Sequence, residues 1–206
     1  MISGLIRWLL RLGPNEVASW RSFAQEVGGT YVPPTLWRVN QVRMQVGHWT
    51  ATLDLKTYSF PSGAETLTRL QVLYVAQRHF TVEIQRSAAL LQIAKLFGMR
   101  EVEIGDPIFD QIFTIWGSDV DGVRRFFDNA RIRDYLRSEP SAHLALLKHS
   151  EPFHPAQPPG AYRLLCDLHG AVAEGDRLHR LRAFAVDVME ELHRMGIAGE
   201  GEPKTA

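Results

Sequence analysis

Two runs of strict alternation constrain this chain most. Val42, Met44 and Val46 alternate with Arg43 and Gln45; after Gly47-His48, the residues Trp49, Ala51, Leu53 and Leu55 alternate with Thr50, Thr52 and Asp54. A period of two sends successive side chains to opposite faces, so the runs predict an antiparallel hairpin with one buried and one wet face. Whatever else the chain does, it must build a sheet and cover one side of it. A long apolar and β-branched run from Thr66 to Ala76 follows the Pro61-Ser62-Gly63 turn, and Phe80, Val82 and Ile84 then alternate with Thr81, Glu83 and Gln85. Together these segments predict a meander of about four strands.

Helical signals surround the strands. Pro14-Asn15 introduces a helix from Glu16 to Val27, closed by the C-cap pair Gly28-Gly29. Ser87 is placed to cap a helix from Ala88 to Phe97, ended by Gly98. A short strand, Glu101 to Ile104, leads into the aromatic-rich segment from Gly105 to Asp119. There Asp106-Pro107 begins a turn, Ile112 to Trp116 reads as a strand, and Gly117-Ser118-Asp119 turns the chain and caps a helix through Phe127. Turns and caps account for its glycines, Pro107 and aspartates, and burial for Phe109, Phe113, Ile115 and Trp116, which makes it a fold signature and not a functional motif. Asn129 caps a further short helix carrying Ile132, Tyr135 and Leu136, and strands are expected at Ala142 to Lys148 and Tyr162 to Leu168. Between them, Glu151 to Gly160 holds four prolines in ten residues, which predicts a stiff exposed loop. Leu178, Leu181, Ala185, Val188, Leu192 and Met195 form an apolar seam in a final helix from about Gly175 to Met195. Phe184 and Val186 widen it beyond a coiled-coil stripe, so it suits a sheet better than a partner helix.

The fold class that follows is α+β: an antiparallel β-sheet with helices packed on one face and a long C-terminal helix. Residues 1–196 are expected to form one domain, built from two strand-then-helix units, 15–98 and 99–196. Residues 197–206, Gly-rich and polar, are expected to be a disordered tail.

Composition narrows the function. Lys plus Arg equals Asp plus Glu at 23 each, so no global field recruits nucleic acid, which argues against that partner. With 45% hydrophobic residues the chain can fill a core, yet no apolar run spans a bilayer. Residues 1–12, which carry Trp8 between Arg7 and Arg11, form an amphipathic segment that reads first as a packed helix. They are also the candidate for weak peripheral membrane contact. One cysteine, Cys166, can make neither an internal disulfide nor a thiolate cluster, and it reads as a buried thiol in a reducing, cytoplasmic setting.

No catalytic, cofactor or metal constellation emerges. The eight histidines contain no HExxH motif, and His179 and His193, fourteen residues apart on one helix, are separated by about 21 Å. Asp106 and Asp110 are explained by a turn, and Asp119-Val120-Asp121-Gly122 lacks the ligand ladder of a calcium loop. Gly28-Gly29 and Gly117 belong to no phosphate-binding motif. Arg124, Arg125, Arg131, Arg133 and Arg137 surround Asp128, Asp134 and Glu139, as a solvated ion-paired face would. Arg38, Arg43, Arg69, Arg78 and Arg86, with Trp37, Trp49 and Tyr58, would form an aromatic and arginine surface if the wet face of the sheet collected them.

The order Trp20-x-x-Phe23-Ala24-x-x-x-Gly28-Gly29, a hairpin around Trp49, Phe109-Asp110-x-x-Phe113-x-Ile115-x-Gly117-x-Asp119 and an Ile132-Arg133-x-x-Leu136 helix resembles an uncharacterised bacterial family. That family has an FDxxF-type strand followed by short helices. The resemblance covers roughly the first two thirds of the chain and implies a bacterial domain of the kind found near membrane segments, with no assigned activity. The expectation is therefore a non-catalytic binding domain for a protein partner or a second copy of itself, with Arg69, Tyr74, His79, Phe153 and His154 as the candidate binding surface. The alternative is a small-molecule-binding protein or enzyme with a pocket between sheet and helices, lined by residues such as His79, Arg69, Tyr74 and Asp54.

Overall fold

The computed structural model describes residues 13–35, 39–60, 63–86, 99–139, 141–148 and 161–200. The predicted helix Ala88 to Phe97, the proline loop and the amphipathic segment 1–12 lie outside the described residues.

In chain order the elements are α1 (Pro14–Glu26), β1 (Thr30–Val32), β2 (Gln41–Val46), β3 (Trp49–Phe60), β4 (Gly63–Val75), β5 (Val82–Arg86) and β6 (Arg100–Glu101). After them come α2 (Pro107–Ile112), β7 (Phe113–Gly117), α3 (Val120–Phe127), α4 (Ala130–Ser138), β8 (His143–Lys148), β9 (Ala161–His169) and α5 (Gly175–Arg194). The nine described strands join one sheet in the order β1-β2-β3-β4-β9-β8-β5-β7-β6, and every ladder between them is antiparallel. The class is α+β, as the alternation requires.

Register carries one apolar face across the sheet. Val42, Leu53, Leu70, Cys166, Leu144, Ile84 and Ile115 follow one another through paired positions from β2 to β7. All seven are buried and share one core with Trp20 and Phe23 of α1, Phe126 of α3, Leu136 of α4 and the Leu178, Leu181, Phe184, Val188 and Leu192 seam of α5. The helices thus lie on that face, and the wide seam of α5 meets the sheet at β2 and β4.

Four sequence expectations change. The meander runs β1-β2-β3-β4 and does not include β5, the last strand expected of it, because β9 and β8 lie between β4 and β5. Leu70, Val72 and Tyr74 of β4 are all buried, and pairing β4 with the equally apolar β9 covers both strands. Second, the strand expected from Ile112 begins at Phe113, because Pro107–Ile112 is helical. Asp106 accepts the Phe109 N–H at 3.1 Å and Pro107 fills the first turn, where its missing N–H costs nothing; the same dipeptide that suits a turn also starts a helix. Third, the strand expected over Glu101 to Ile104 is only Arg100–Glu101. Fourth, the start of the presumed tail is packed: Ile197 and Ala198 are buried, Gln77 donates its N–H to Ile197 O at 2.8 Å, and Gly199 donates to Val75 O at 2.9 Å. The Trp49 indole N–H reaches Gly199 O at 3.1 Å, closing that clasp.

The two strand-then-helix units interleave in the sheet. β9 of the second pairs with β4 of the first, and the Trp20 indole of α1 donates to Val172 O at 2.8 Å.

Candidate functional site

The second face of the sheet bears no described helix, and its centre is charged. Register places Gln41, Asp54, Arg69, Asp167 and His143 side by side on β2, β3, β4, β9 and β8, a polar row running across five adjacent strands. Glu83 of β5 stands diagonally beyond His143. Each occupies a wet-face position of its strand, since its immediate neighbours in sequence face the core.

From Arg69 to Glu83 the row is bonded continuously. Arg69 donates Nε–H to Asp167 Oδ1 and Nη2–H to Asp167 Oδ2, each at 2.7 Å, and Nη2–H also reaches the Tyr58 hydroxyl oxygen at 2.7 Å. His143 Nε2 lies 3.1 Å from Glu83 Oε1, and its Nδ1 lies 3.6 Å from Asp167 Oδ2. The Lys56 ammonium sits 3.4 Å from Asp54 Oδ2. Asp54, Glu83 and Asp167 are buried to 1%, 2% and 4% exposure, a depth at which carboxylates need partners. Three carboxylates face three cations: Lys56, Arg69 and His143.

The environment sets the protonation. Burial disfavours charge on His143, but the carboxylates of Asp167 and Glu83 outweigh it and raise the imidazole to about 9. Burial likewise opposes charge on Asp167, and the Arg69 and His143 hydrogen bonds overcome it and hold the carboxyl below its usual value. Asp54 goes the other way, raised by burial that Lys56 and Arg69 only partly offset. One oxygen each of Asp54 and Glu83, Oδ1 and Oε2, is buried with no hydrogen-bond partner among the described residues.

This geometry constrains the chemistry. With an acceptor at each ring nitrogen, His143 is held as imidazolium, which cannot take up a proton as a general base does. Cys166 points to the opposite face of β9, where burial pushes its thiol well up, away from the thiolate that would act as a nucleophile. Among the described residues no group of three His, Cys, Asp or Glu side chains is placed to hold a metal ion. Around the row the face is mixed: Leu73 and Arg43 are exposed, and Leu147, Leu165 and Trp116 are half-buried.

Of the residues singled out from sequence, Arg69 stands in the row and Asp54 beside it. Tyr74 is on the core face, fully buried against Tyr162 with ring centroids 6.0 Å apart, because its parity on β4 is that of Leu70 and Val72. His79 lies exposed in the loop after β4, its Nδ1 2.7 Å from the Tyr162 hydroxyl, so it belongs to neither the row nor the core. Phe153 and His154 are outside the described residues. The arginine surface is only partly assembled: Trp49 faces the core, Arg69 is paired, Arg43 and Arg86 are exposed, and Trp37 and Arg38 lie outside the described residues.

His143 and Asp167 escaped sequence reasoning, and Glu83 was read only as the wet side of its strand. Their signal was a lone charge at a wet-face position in an otherwise apolar strand, clearest for Asp167 in Leu164-Leu165-Cys166-Asp167-Leu168. Between sheet and helices the described side chains form an apolar core where a polar pocket had been the alternative expectation. A separate concavity of about 420 Å³ lies at the end of α1, lined by Arg21, Gln25, Thr30 and Tyr31 among others. No family model matches the chain, and neither does any curated protein or solved structure.

Proposed function

We propose that this protein is a non-catalytic binding domain that presents, to a protein partner, the face of its sheet that bears no described helix. The observation that carries the reading is the polar row, whose charges are spent on one another: Arg69 on Asp167, His143 on Asp167 and Glu83, Lys56 on Asp54. Such a row braces a surface without leaving a base or nucleophile poised on it. Its three carboxylates also stand where a nucleic-acid backbone would have to lie, which favours protein over phosphate. The flanking Leu73, Leu147, Leu165 and Trp116, with Arg43, have the mixed aromatic, aliphatic and arginine character of a partner-binding patch. The test is affinity capture from a bacterial lysate with wild type and with a Leu73→Asp/Arg43→Glu variant, both exposed positions. A partner retained by wild type and lost from a variant of unchanged melting temperature is expected. Identical capture by both, or none by either, overturns the reading.

The concavity at α1 supports a second reading, a small acidic ligand. Its Arg21 guanidinium carbon lies 5.1 Å from the Tyr31 ring centroid, which sets a cation in the lining, while the Tyr31 hydroxyl donates to Asn40 Oδ1 at 2.6 Å. Small carboxylates should then raise the melting temperature of wild type and leave Arg21→Ala unmoved.

A further inference from the structure

The concavity at the end of α1 has two walls. One is a face of the helix, where Arg21, Ala24 and Gln25 recur at the i, i+3 and i+4 spacing; the other is the turn into β1, with Gly29, Thr30 and Tyr31. Its volume of about 420 Å³ lies at the small end of the range for ligand pockets, about 300–1,000 Å³. Two opposed fields meet in it. Arg21 supplies the positive one: its guanidinium carbon is 5.1 Å from the Tyr31 ring centroid, and no carboxylate is paired with it among the described residues. Glu26, the next residue after Gln25, is bonded to Ser22 and His179, each at 2.7 Å. The helix supplies the negative field. Its carbonyl end carries the equivalent of about −0.5 elementary charge, and the last turn of α1 has no basic side chain to offset it. Gly28 and Gly29 donate their N–H groups to Gln25 O and Ala24 O at 3.2 and 2.7 Å, which leaves each carbonyl a second lone pair for another donor.

A bare anion does not suit such a place. Phosphate groups are held at helix N-termini, and at this opposite end the attraction of one guanidinium is opposed by the carbonyls. A ligand that carries its own cation turns that opposition into a second contact. We infer that the concavity takes a free amino acid, its carboxylate on the Arg21 guanidinium and its ammonium at the carbonyl end of α1. Arg21 and Glu26 are about 7.5 Å apart along the axis at 1.5 Å per residue, a span that a carboxylate and an ammonium joined through one carbon cover with a hydrogen bond at each end. The planar guanidinium can hold the carboxylate through two parallel N–H···O bonds. Between these ends, Ala24 presents only a methyl group, so there is room for a small ligand side chain beside the Gln25 amide and the Thr30 hydroxyl. The inference rests on the acidic-ligand reading and narrows it, because the ammonium must contribute to affinity as well as the carboxylate.

Calorimetric titration of the full chain with glycine, L-alanine and L-serine, each against its amine-free counterpart (acetate, propionate and 3-hydroxypropionate), tests the two ends separately. The best-bound amino acid should have a dissociation constant about three- to tenfold below that of its counterpart. Arg21→Ala, at an exposed position, should abolish binding of both while leaving the melting temperature of the free protein unchanged. Gln25→Lys, also exposed, puts a cation of the chain's own in the last turn; it should weaken the amino acid and strengthen the amine-free acid, where a merely steric effect would weaken both. Equal affinity for acid and amino acid overturns the inference and leaves the acidic-ligand reading standing, whereas binding of neither overturns both. Weakening of both ligands in a folded Gln25→Lys overturns the placement of the ammonium.

Discussion

Asp167 is the residue on which the polar face turns, since two cations converge on it at a site with 4% exposure. Removing Arg69 leaves that carboxylate with His143 alone, and breaking a buried pair from one side costs about 3–5 kcal/mol. Arg69→Ala should therefore lower unfolding free energy by that order in urea titration, whereas Arg69→Met with Asp167→Leu should cost far less, because no charge is left uncompensated. His143 adds a pH dependence. Its folded pKa of about 9 lies above the unfolded value near 6.5, so its contribution is complete below about pH 6.5 and is lost as pH rises toward 9. The loss is of the order of 3 kcal/mol. Denaturation of wild type should show that decline between pH 6.5 and 9, and His143→Gln should flatten it. Arg69 and Asp54 were legible from sequence as wet-face charges. Glu83 was as well, through its alternation with Val82 and Ile84, whereas His143 and Asp167 were not, because their meaning depends on which strands are neighbours.

At the scale of elements, local chemistry was read with few errors. Asp119 accepts the Gly122 N–H and Asn129 the Arg131 N–H, each at 3.1 Å, as their positions before apolar-periodic segments required. Gly28, at φ 65°, ends α1 in the left-handed conformation expected of a C-cap glycine. Gly117 has a different reason to be glycine: an added Cβ would fall 2.4 Å from Val123 Cγ2, so β7 can run against α3 only without a side chain there. Gly117→Ala should destabilise by about 1–3 kcal/mol through overpacking, and the added substitution Val123→Ala should recover part of that loss of melting temperature. The clasp after α5 could not be read at all. Gly196-Ile197-Ala198-Gly199 looks like the start of a polar tail, yet Ile197 is fully buried in the core and the clasp covers the end of β4. Ile197→Ala should cost about 2–5 kcal/mol in thermal or urea denaturation, a price no tail residue would carry.

At the scale of the whole molecule, the described elements share one sheet and one core, and the chain crosses between its halves repeatedly: β4 with β9, α1 with the segment before α5, β2 with α5. Unfolding should accordingly be a single transition, with far-ultraviolet circular dichroism and tryptophan fluorescence coinciding, since Trp20 and Trp49 report on the first half and Trp116 on the second. Residues 15–98 expressed alone should not fold, because β4 would lose β9 and expose Leu70, Val72 and Tyr74. Sequence by itself determined the class, the two faces of β2, β3 and β5, the caps of α3 and α4 and the breadth of the α5 seam, because these follow from periods of 2 and 3.6 and from hydrogen bonds a few residues apart. Tertiary structure alone decided the strand order, and with it the row from Asp54 to Glu83. Strand adjacency is a long-range choice made by burying β4 and β9 against each other, and it leaves no mark within either strand.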